Sequence, residues 1–140
     1  MPTATTWSIR PGDARDREAV DRLWESAGMN RVSEPEWKAI TGNGAARLLV
    51  CEEQGMVIGA AVTAFDGWRA YVYHVAISPD FRSKGVARAV MAEAEENLRR
   101  QGAARVYVEV NGENTAGIAL CTACGFEPEG DIALVKEIAR

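Results

Sequence analysis

The segment Arg82-Ser83-Lys84-Gly85-Val86-Ala87-Arg88 places three cations and one glycine within seven residues. It lies between an apolar, β-branched run ending at Ile77 and a stretch whose apolar residues recur at helical spacing. A strand-loop-helix joint of this kind directs unpaired backbone N–H groups outward at the helix N-terminus, where the helix dipole adds positive potential. Gly85 removes the Cβ that would block close approach of a phosphate, and the small Ala87 keeps the first turn open. Arg82, Lys84 and Arg88 add charge at the rim. The chemistry suited to such a joint is binding of a pyrophosphate. It is neither the Gly-Lys-Ser/Thr turn of a P-loop nor a G-x-G-x-x-G turn. A loop eased into a helix by one glycine, among solvated cations, is the blander account.

Other groups with chemical potential lie downstream and upstream. Asn114 precedes a helical stretch and suits an N-cap. Cys121 and Cys124 spell C-x-x-C, but at the C-terminal end of a helix. Redox pairs use the N-terminal end, where the dipole lowers a thiol pKa. Zinc would need a second ligand pair, and Cys51 and His74 each stand alone, so no metal is expected. His74 is the single histidine. Mid-strand beside Tyr73 it reads as structural, with one of the two facing the core and the other the opposite face.

These groups need elements to hold them. Trp7 to Arg10 reads as a short strand stopped by Pro11-Gly12. Asp13 can cap a helix whose apolar positions are Ala19, Val20, Leu23, Trp24 and Ala27. A second helix starts near Pro35. Leu48 to Glu52 and Met56 to Phe65 flank Glu53-Gln54-Gly55 as a hairpin. Asp66-Gly67 turns the chain into a strand from Tyr71 to Ile77. Val86, Ala87, Val90, Met91, Ala94 and Leu98 then form one apolar helical stripe, with Glu95/Arg99 and Glu96/Arg100 paired on the wet side and Gly102 as the stop. Arg105 to Val110 returns to a strand, Thr115 to Cys124 to a helix, and Ile132 to Ile138 to a last strand. The order β-α-α-β-β-β-α-β-α-β describes an α/β domain with a mixed sheet and one β-α-β unit, Tyr71 to Val110.

Composition bounds the rest. The chain has 140 residues, 47% hydrophobic and 26% charged, which suits one globular domain spanning 1–140. A net charge of −4 argues against general affinity for nucleic acid or an anionic membrane and tolerates a cationic substrate. No run approaches the ~20 apolar residues of a membrane helix, and Met1 to Thr6 lacks a leader pattern. Three cysteines make no disulfide framework, so a reducing cytoplasm is the expected compartment.

The string from Val75 to Ala87 resembles the coenzyme A signature of the GNAT superfamily of N-acetyltransferases: an apolar strand, Pro, then Arg/Gln-x-x-Gly-x-Gly/Ala opening a helix. Asn114 to Phe126 resembles the family's later motif, and element order and spacing fit over nearly the whole chain. The resemblance implies a single GNAT-like domain, with a mixed, mostly antiparallel sheet and a central β-α-β acetyl-CoA unit flanked by helices. It implies that amides from Ser83 through Gly85, Val86, Ala87 and Arg88, with Arg82 beside them, hold the pyrophosphate. The backbone of Val75, Ala76 and Ile77 would pair with the pantetheine arm, and Asn114 would contact its acetyl end. Glu109 matches in spacing a Glu that accepts the amine's proton in ribosomal-protein N-terminal acetyltransferases; an amine attacks only after losing a proton. A solvated strand-end Glu is the bland alternative. Cys121 departs from the pattern, standing where the family usually has the Tyr that protonates the departing thiolate. A thiol can donate there, or Cys121 can simply fill space while water or Tyr73 donates.

The resemblance implies acetyl transfer from acetyl-CoA to a primary amine by direct attack in a ternary complex. A coenzyme A-binding module that has lost turnover, and a longer acyl donor, are the alternatives. The Phe65-Asp66-Gly67-Trp68-Arg69 string looks like a turn in some small bacterial members, giving Trp68 or Arg69 an acceptor-site role. Trp24, Met29, Trp37 and Trp68 either line an amine pocket or belong to the core. Members are often dimers, so a homodimer is carried by the resemblance alone.

Overall fold

The computed structural model of the protein describes residues 6–42 and 44–139. The expectation that the N-terminus carries no leader concerns Met1 to Thr6, of which residues 1–5 lie outside the described residues. Strands β1 (Trp7–Pro11), β2 (Ala46–Glu53), β3 (Met56–Phe65), β4 (Ala70–Ile77) and β5 (Val106–Val108) form one sheet in that spatial order. The first four pair antiparallel, and β5 lies parallel to β4, the crossover being helix α3 (Val86–Arg100). Helices α1 (Arg17–Ser26), α2 (Glu34–Gly42) and α4 (Thr115–Ala123) complete the order.

Both faces of the sheet are covered, which is why β2 and β3 read as unbroken apolar runs rather than alternating ones. On one face Val20, Leu23 and Trp24 of α1 and Trp37 and Ile40 of α2 pack on Leu48, Val50, Ala60, Val62 and Ala76. On the other, Val86, Val90, Met91, Ala94 and Leu98 of α3 pack on Leu49, Cys51, Ile58, Ala61 and Val72. Trp24 and Trp37 are therefore core, fully buried or nearly so, whereas Trp68 is 80% exposed. Burial pushes the Cys51 thiol up to about 11, with Glu53 and Glu52 adding to it.

Local signals fix the helix starts. Asp13 accepts a hydrogen bond from the Arg15 amide at 2.9 Å while Asp16 accepts one from the Asp13 amide at 2.9 Å, a reciprocal capping box ahead of α1. Ser33 and Glu36 form the same box at α2. Arg10 of β1 donates two 2.8 Å hydrogen bonds to Asp16 and reaches Glu52 at 3.2 Å, so one guanidinium joins β1, the start of α1 and β2. That hydrogen bond holds the Asp16 carboxyl below the usual carboxylate range.

Two expectations are corrected at the far edge. The fifth strand has three residues rather than the six from Arg105 to Val110. The last strand, Ile132 to Ile138, does not form: residues 131–139 hold no regular structure, and Ile132, Leu134, Val135 and Ile138 are 81–92% exposed. An apolar β-branched run becomes a strand only against a partner edge, and the three residues of β5 offer a short one.

Candidate active site

Strand β4 is irregular where it matters. Ala60 faces Ala76 and Val62 faces Tyr73, so one residue of β3 stands opposite two of β4, His74 and Val75. His74 adopts φ +52, the left-handed region that a non-glycine residue occupies only under local compulsion. Helix α1 meets the chain at that residue: the Trp24 indole N–H donates to the His74 carbonyl at 2.8 Å, and the two rings meet edge to face at 5.1 Å. The His74 ring also stands edge-on to Tyr73 at 6.1 Å and 3.4 Å from the Asn30 carbonyl. The expectation that Tyr73 and His74 face opposite sides of a regular strand is corrected, because the extra residue breaks the alternation. Val72 packs on the α3 face and Ala76 on the α1 face, an even spacing no regular strand allows. The only trace in the sequence is an imidazole inside an apolar, β-branched run.

Beyond the bulge the sheet opens. Strand β5 pairs with β4 only over Ala70 to Val72. Among the described residues the β4 edge from Tyr73 to Ile77 therefore has no strand partner on that side, and it contains Val75, Ala76 and Ile77. After Ile77 a short 3-10 turn, Pro79–Phe81, leads into the cationic loop. Ser83 at φ +65 and Gly85 at φ +85 both occupy the left-handed region, turning successive N–H groups toward one concavity. Gly85 is the N-cap of α3 and offers no side chain, and the amides of Val86, Ala87 and Arg88 have no carbonyl one turn earlier to bond. A Cβ on Gly85 would meet nothing within 4 Å, so the glycine is required by its backbone angle and by whatever approaches from outside. Lys84 lies over the Phe81 ring at 5.4 Å, and Arg82 is exposed. The Arg88 guanidinium reaches the Ala123 carbonyl at the end of α4 at 3.4 Å. Arg88 thus contributes its amide to the loop and its side chain to the tie between the two helices. The group this cradle fits is a pyrophosphate, and the open strand edge fits an extended amide-bearing arm beside it.

Helix α4 supplies the remaining residues. The Asn114 side chain accepts from the Gly117 amide at 2.9 Å, and a Cβ on Gly117 would lie 2.5 Å from that side chain, so the cap needs glycine there. Cys121 is 8% exposed, a free thiol raised by burial above the ordinary range, with Cys124 adding to it. It stays a thiol at neutral pH, fit to donate a proton and unfit as a nucleophile. Tyr73 is likewise raised by burial. Glu109 is exposed, just past the end of β5, in an open groove of about 720 Å³ that also touches Arg69, Tyr71, Arg105 and Tyr107. There Tyr71 and Tyr107 stack at 5.4 Å, with the Arg105 and Arg69 guanidiniums 5.3 and 5.9 Å from the Tyr107 ring. The tyrosine stack was invisible in the sequence because its partners lie 36 residues apart and meet only through the parallel pairing of Tyr71 with Tyr107. Trp68 joins Arg69 at 5.1 Å on the surface. No group of three or more histidine, cysteine, aspartate or glutamate side chains that could hold a metal occurs among the described residues.

A parallel strand pair joined over three residues, beside a glycine-capped helix N-terminus, gives this α/β protein a place that could hold a long phosphorylated cofactor. Residues 14–126 match the model of the acetyltransferase (GNAT) family, and the chain belongs to that family: it is an acetyltransferase with acetyl-CoA as co-substrate. The chain is 29% identical over 126 residues to an acetyltransferase of Pectobacterium atrosepticum, covering 88% of this chain and 89% of that one. It is also 29% identical over 133 residues to an acetyltransferase of Yersinia enterocolitica, covering 93% and 94%. Among solved structures, the ribosomal-protein-S18-alanine N-acetyltransferase of Escherichia coli superposes with a TM-score of 0.76 at 23% identity, over 86% of this chain and 77% of that one. AAC(6')-Iy in complex with a bisubstrate analogue superposes at 0.82 and 17% identity, over 96% and 100%. At these identities the two structures speak for the fold.

Proposed function

We propose that the protein transfers the acetyl group of acetyl-CoA to a primary amine, on a small molecule or a peptide, by direct attack within a ternary complex. The observation that carries this reading is the open β4 edge from Tyr73 to Ile77 running into the amide-lined turn at Gly85. In this reading the amides of Ser83 to Arg88 hold the pyrophosphate, with Arg82 at the rim. Val75, Ala76 and Ile77 pair with the pantetheine arm and set a backbone N–H against the thioester oxygen. Asn114, its oxygen occupied as a cap, turns its amide nitrogen to the arm. Glu109 takes the proton of the incoming ammonium through water, since its carboxylate is free in the groove. The thiol of Cys121 returns a proton to the departing sulfur. Residues 1–140 act as one catalytic domain, in the cytoplasm, as a homodimer.

A second reading, a coenzyme A-binding regulator without turnover, draws on one observation: the family's usual donor is replaced by a thiol that is nearly buried. Thermal unfolding with and without acetyl-CoA, on wild type and Gly85→Glu, tests the shared cofactor site. Ligand at 100 times its Kd stabilises a domain by about 2.7 kcal/mol. Wild type should shift by several degrees and Gly85→Glu should not, because a carboxylate at the pyrophosphate weakens binding by about 100-fold or more. No shift in wild type would end both readings. Release of free thiol with any amine of a screened set then separates enzyme from regulator, and parallel rather than intersecting initial-rate lines would exclude direct attack.

A further inference from the structure

The hydrogen bond from the Trp24 indole N–H to the His74 carbonyl acts on more than the two residues it joins. A peptide unit is planar and trans, so its C=O and the following N–H lie in one plane and point opposite ways. The carbonyl of His74 and the N–H of Val75 belong to one such unit. Whatever fixes the carbonyl therefore fixes the N–H. With the carbonyl turned to the indole of α1, the Val75 N–H points away from that indole.

This peptide is set apart from its neighbours. Tyr73 faces Val62, Ala76 faces Ala60 and Ile77 faces Gly59 in the register of β4 and β3. His74 and Val75 share one residue of β3 between them. At φ +52 the chain beyond His74 is rotated about its N–Cα bond by roughly half a turn from a strand setting. Of the amides of Val75, Ala76 and Ile77, only that of Val75 lies inside the bulge.

The indole is a fixed donor. Trp24 is fully buried, in one cluster with Ala60, Val62 and Ala76, which bracket the bulge. Its backbone carbonyl accepts from the Met29 amide at 2.9 Å, and the start of α1 is tied to β1 through Arg10 and Asp16. A buried indole N–H takes a partner. Here that partner is the carbonyl whose peptide leads into Val75.

We propose that Trp24 is a positioning residue for acetyl transfer: its N–H sets the direction of the Val75 N–H, which meets the charge that develops on the thioester oxygen. This rests on the reading above, in which β4 lies along the pantetheine arm. As the amine nitrogen bonds to the acyl carbon, the C=O electron pair moves onto that oxygen, and it returns when the C–S bond breaks. A donor aimed at the oxygen beforehand stabilises this charge without reorganising. The bond to the His74 carbonyl also polarises the Val75 N–H of the same peptide, strengthening it by roughly 10–30%.

Trp24→Phe keeps a ring and removes the donor. Two readouts are compared with wild type: kcat and KM for acetyl-CoA, and the infrared C=O stretch of bound acetyl-CoA carrying carbon-13 at the acetyl carbonyl. Wild type should lower that frequency relative to free acetyl-CoA, and Trp24→Phe should lower it less. The variant should lose about 10-fold in kcat with KM within about two-fold, because the misaimed N–H acts only as charge develops. Val20→Ala, which truncates an apolar side chain of the same cluster, should lower Tm and leave kcat and the frequency at wild-type values.

A frequency and kcat in Trp24→Phe equal to those of wild type overturn the positioning role and leave the cofactor reading intact. A wild type that binds acetyl-CoA without lowering the frequency overturns both. A loss of kcat that Val20→Ala matches reduces Trp24 to a structural side chain. The infrared readout needs no acceptor, so it decides the matter even for a chain without turnover. Should Trp24→Phe fail to fold, 3-(3-benzothienyl)alanine at position 24, with sulfur in place of the indole N–H, is read for the same outcomes.

Discussion

The two halves of the sheet are built differently. From β1 to β4 the strands are five to ten residues long, β2 and β3 at the centre are buried from both faces, and Trp24 of α1 donates to β4. From β5 onward the sheet is three residues deep, its residues are only half-buried, and the tail is exposed. In the proposed reading the rigid half holds the backbone that meets the cofactor, whereas the open half holds Glu109 and the groove where an acceptor would enter. Recognition of an invariant cofactor can rest on backbone atoms set by a deep core. Recognition of an acceptor falls to side chains on the thin edge, where few contacts constrain them.

Truncation shows the contrast most directly. Trp24 is fully buried and donates to His74, so Trp24→Ala should cost about 3–5 kcal/mol in urea unfolding. Ile118 on α4 is 41% exposed, and Ile118→Ala should cost about 0.5 kcal/mol or less. Equal losses would mean that the edge is as well packed as the centre, and the contrast would fail.

Cys121 tests what the open half does during turnover. Its thiol is raised by burial, so the donor form persists through neutral pH and is lost only as pH climbs above the ordinary thiol range. In kcat against pH, wild type should fall on the alkaline side, and Cys121→Ala should lower kcat by about 100-fold while removing that alkaline fall. An unchanged kcat would reduce Cys121 to a space-filling side chain and pass the donor role to Tyr73 or water.

The rigid half was the more legible. Strand β3 runs from Met56 to Phe65 as its apolar run indicates, and Asp13, Gly85 and Asn114 sit at helix starts because each residue type has a local reason to be there. The bulge at His74 was not legible, since the indole that holds its carbonyl lies 50 residues away. Nor was the absence of the last strand, because periodicity reports the tendency of a segment and not whether an edge is waiting for it. The motif from Val75 to Ala87 lies where an open strand edge runs into a glycine-capped helix start, the cofactor side of the proposed reading. For the acceptor side the sequence offered single residues, Glu109 and Arg69, and only the fold brings both to one groove.

The ion cluster that seals the rigid half gives a smaller effect. Arg10 lowers the Asp16 pKa, so Asp16 adds stability that is fully present above its unfolded value near ~3.9 and is lost as pH falls through its lowered folded value. Asp16→Asn should cost about 2 kcal/mol at neutral pH, and its stability should decline less steeply than wild type's below pH ~4. Parallel acid profiles would show that the pair is not what holds β1 to α1.

The smallest effect is at His74, and its sign carries the information. In an ordinary strand, alanine is more stable than glycine by roughly 0.5–1 kcal/mol. At φ +52 a residue with a Cβ bears about 1–2 kcal/mol of strain that glycine does not. Both His74→Gly and His74→Ala lose the edge-to-face contact with Trp24, about 0.5–1.5 kcal/mol. Only the glycine variant also releases the strain, so it should unfold within about 1 kcal/mol of wild type and above His74→Ala. This inverted order, read from two urea titrations, would establish that α1 forces the bulge against the backbone's preference. The ordinary order would mean that the left-handed turn is relaxed, and that the rigid half stores no strain beside the cofactor strand.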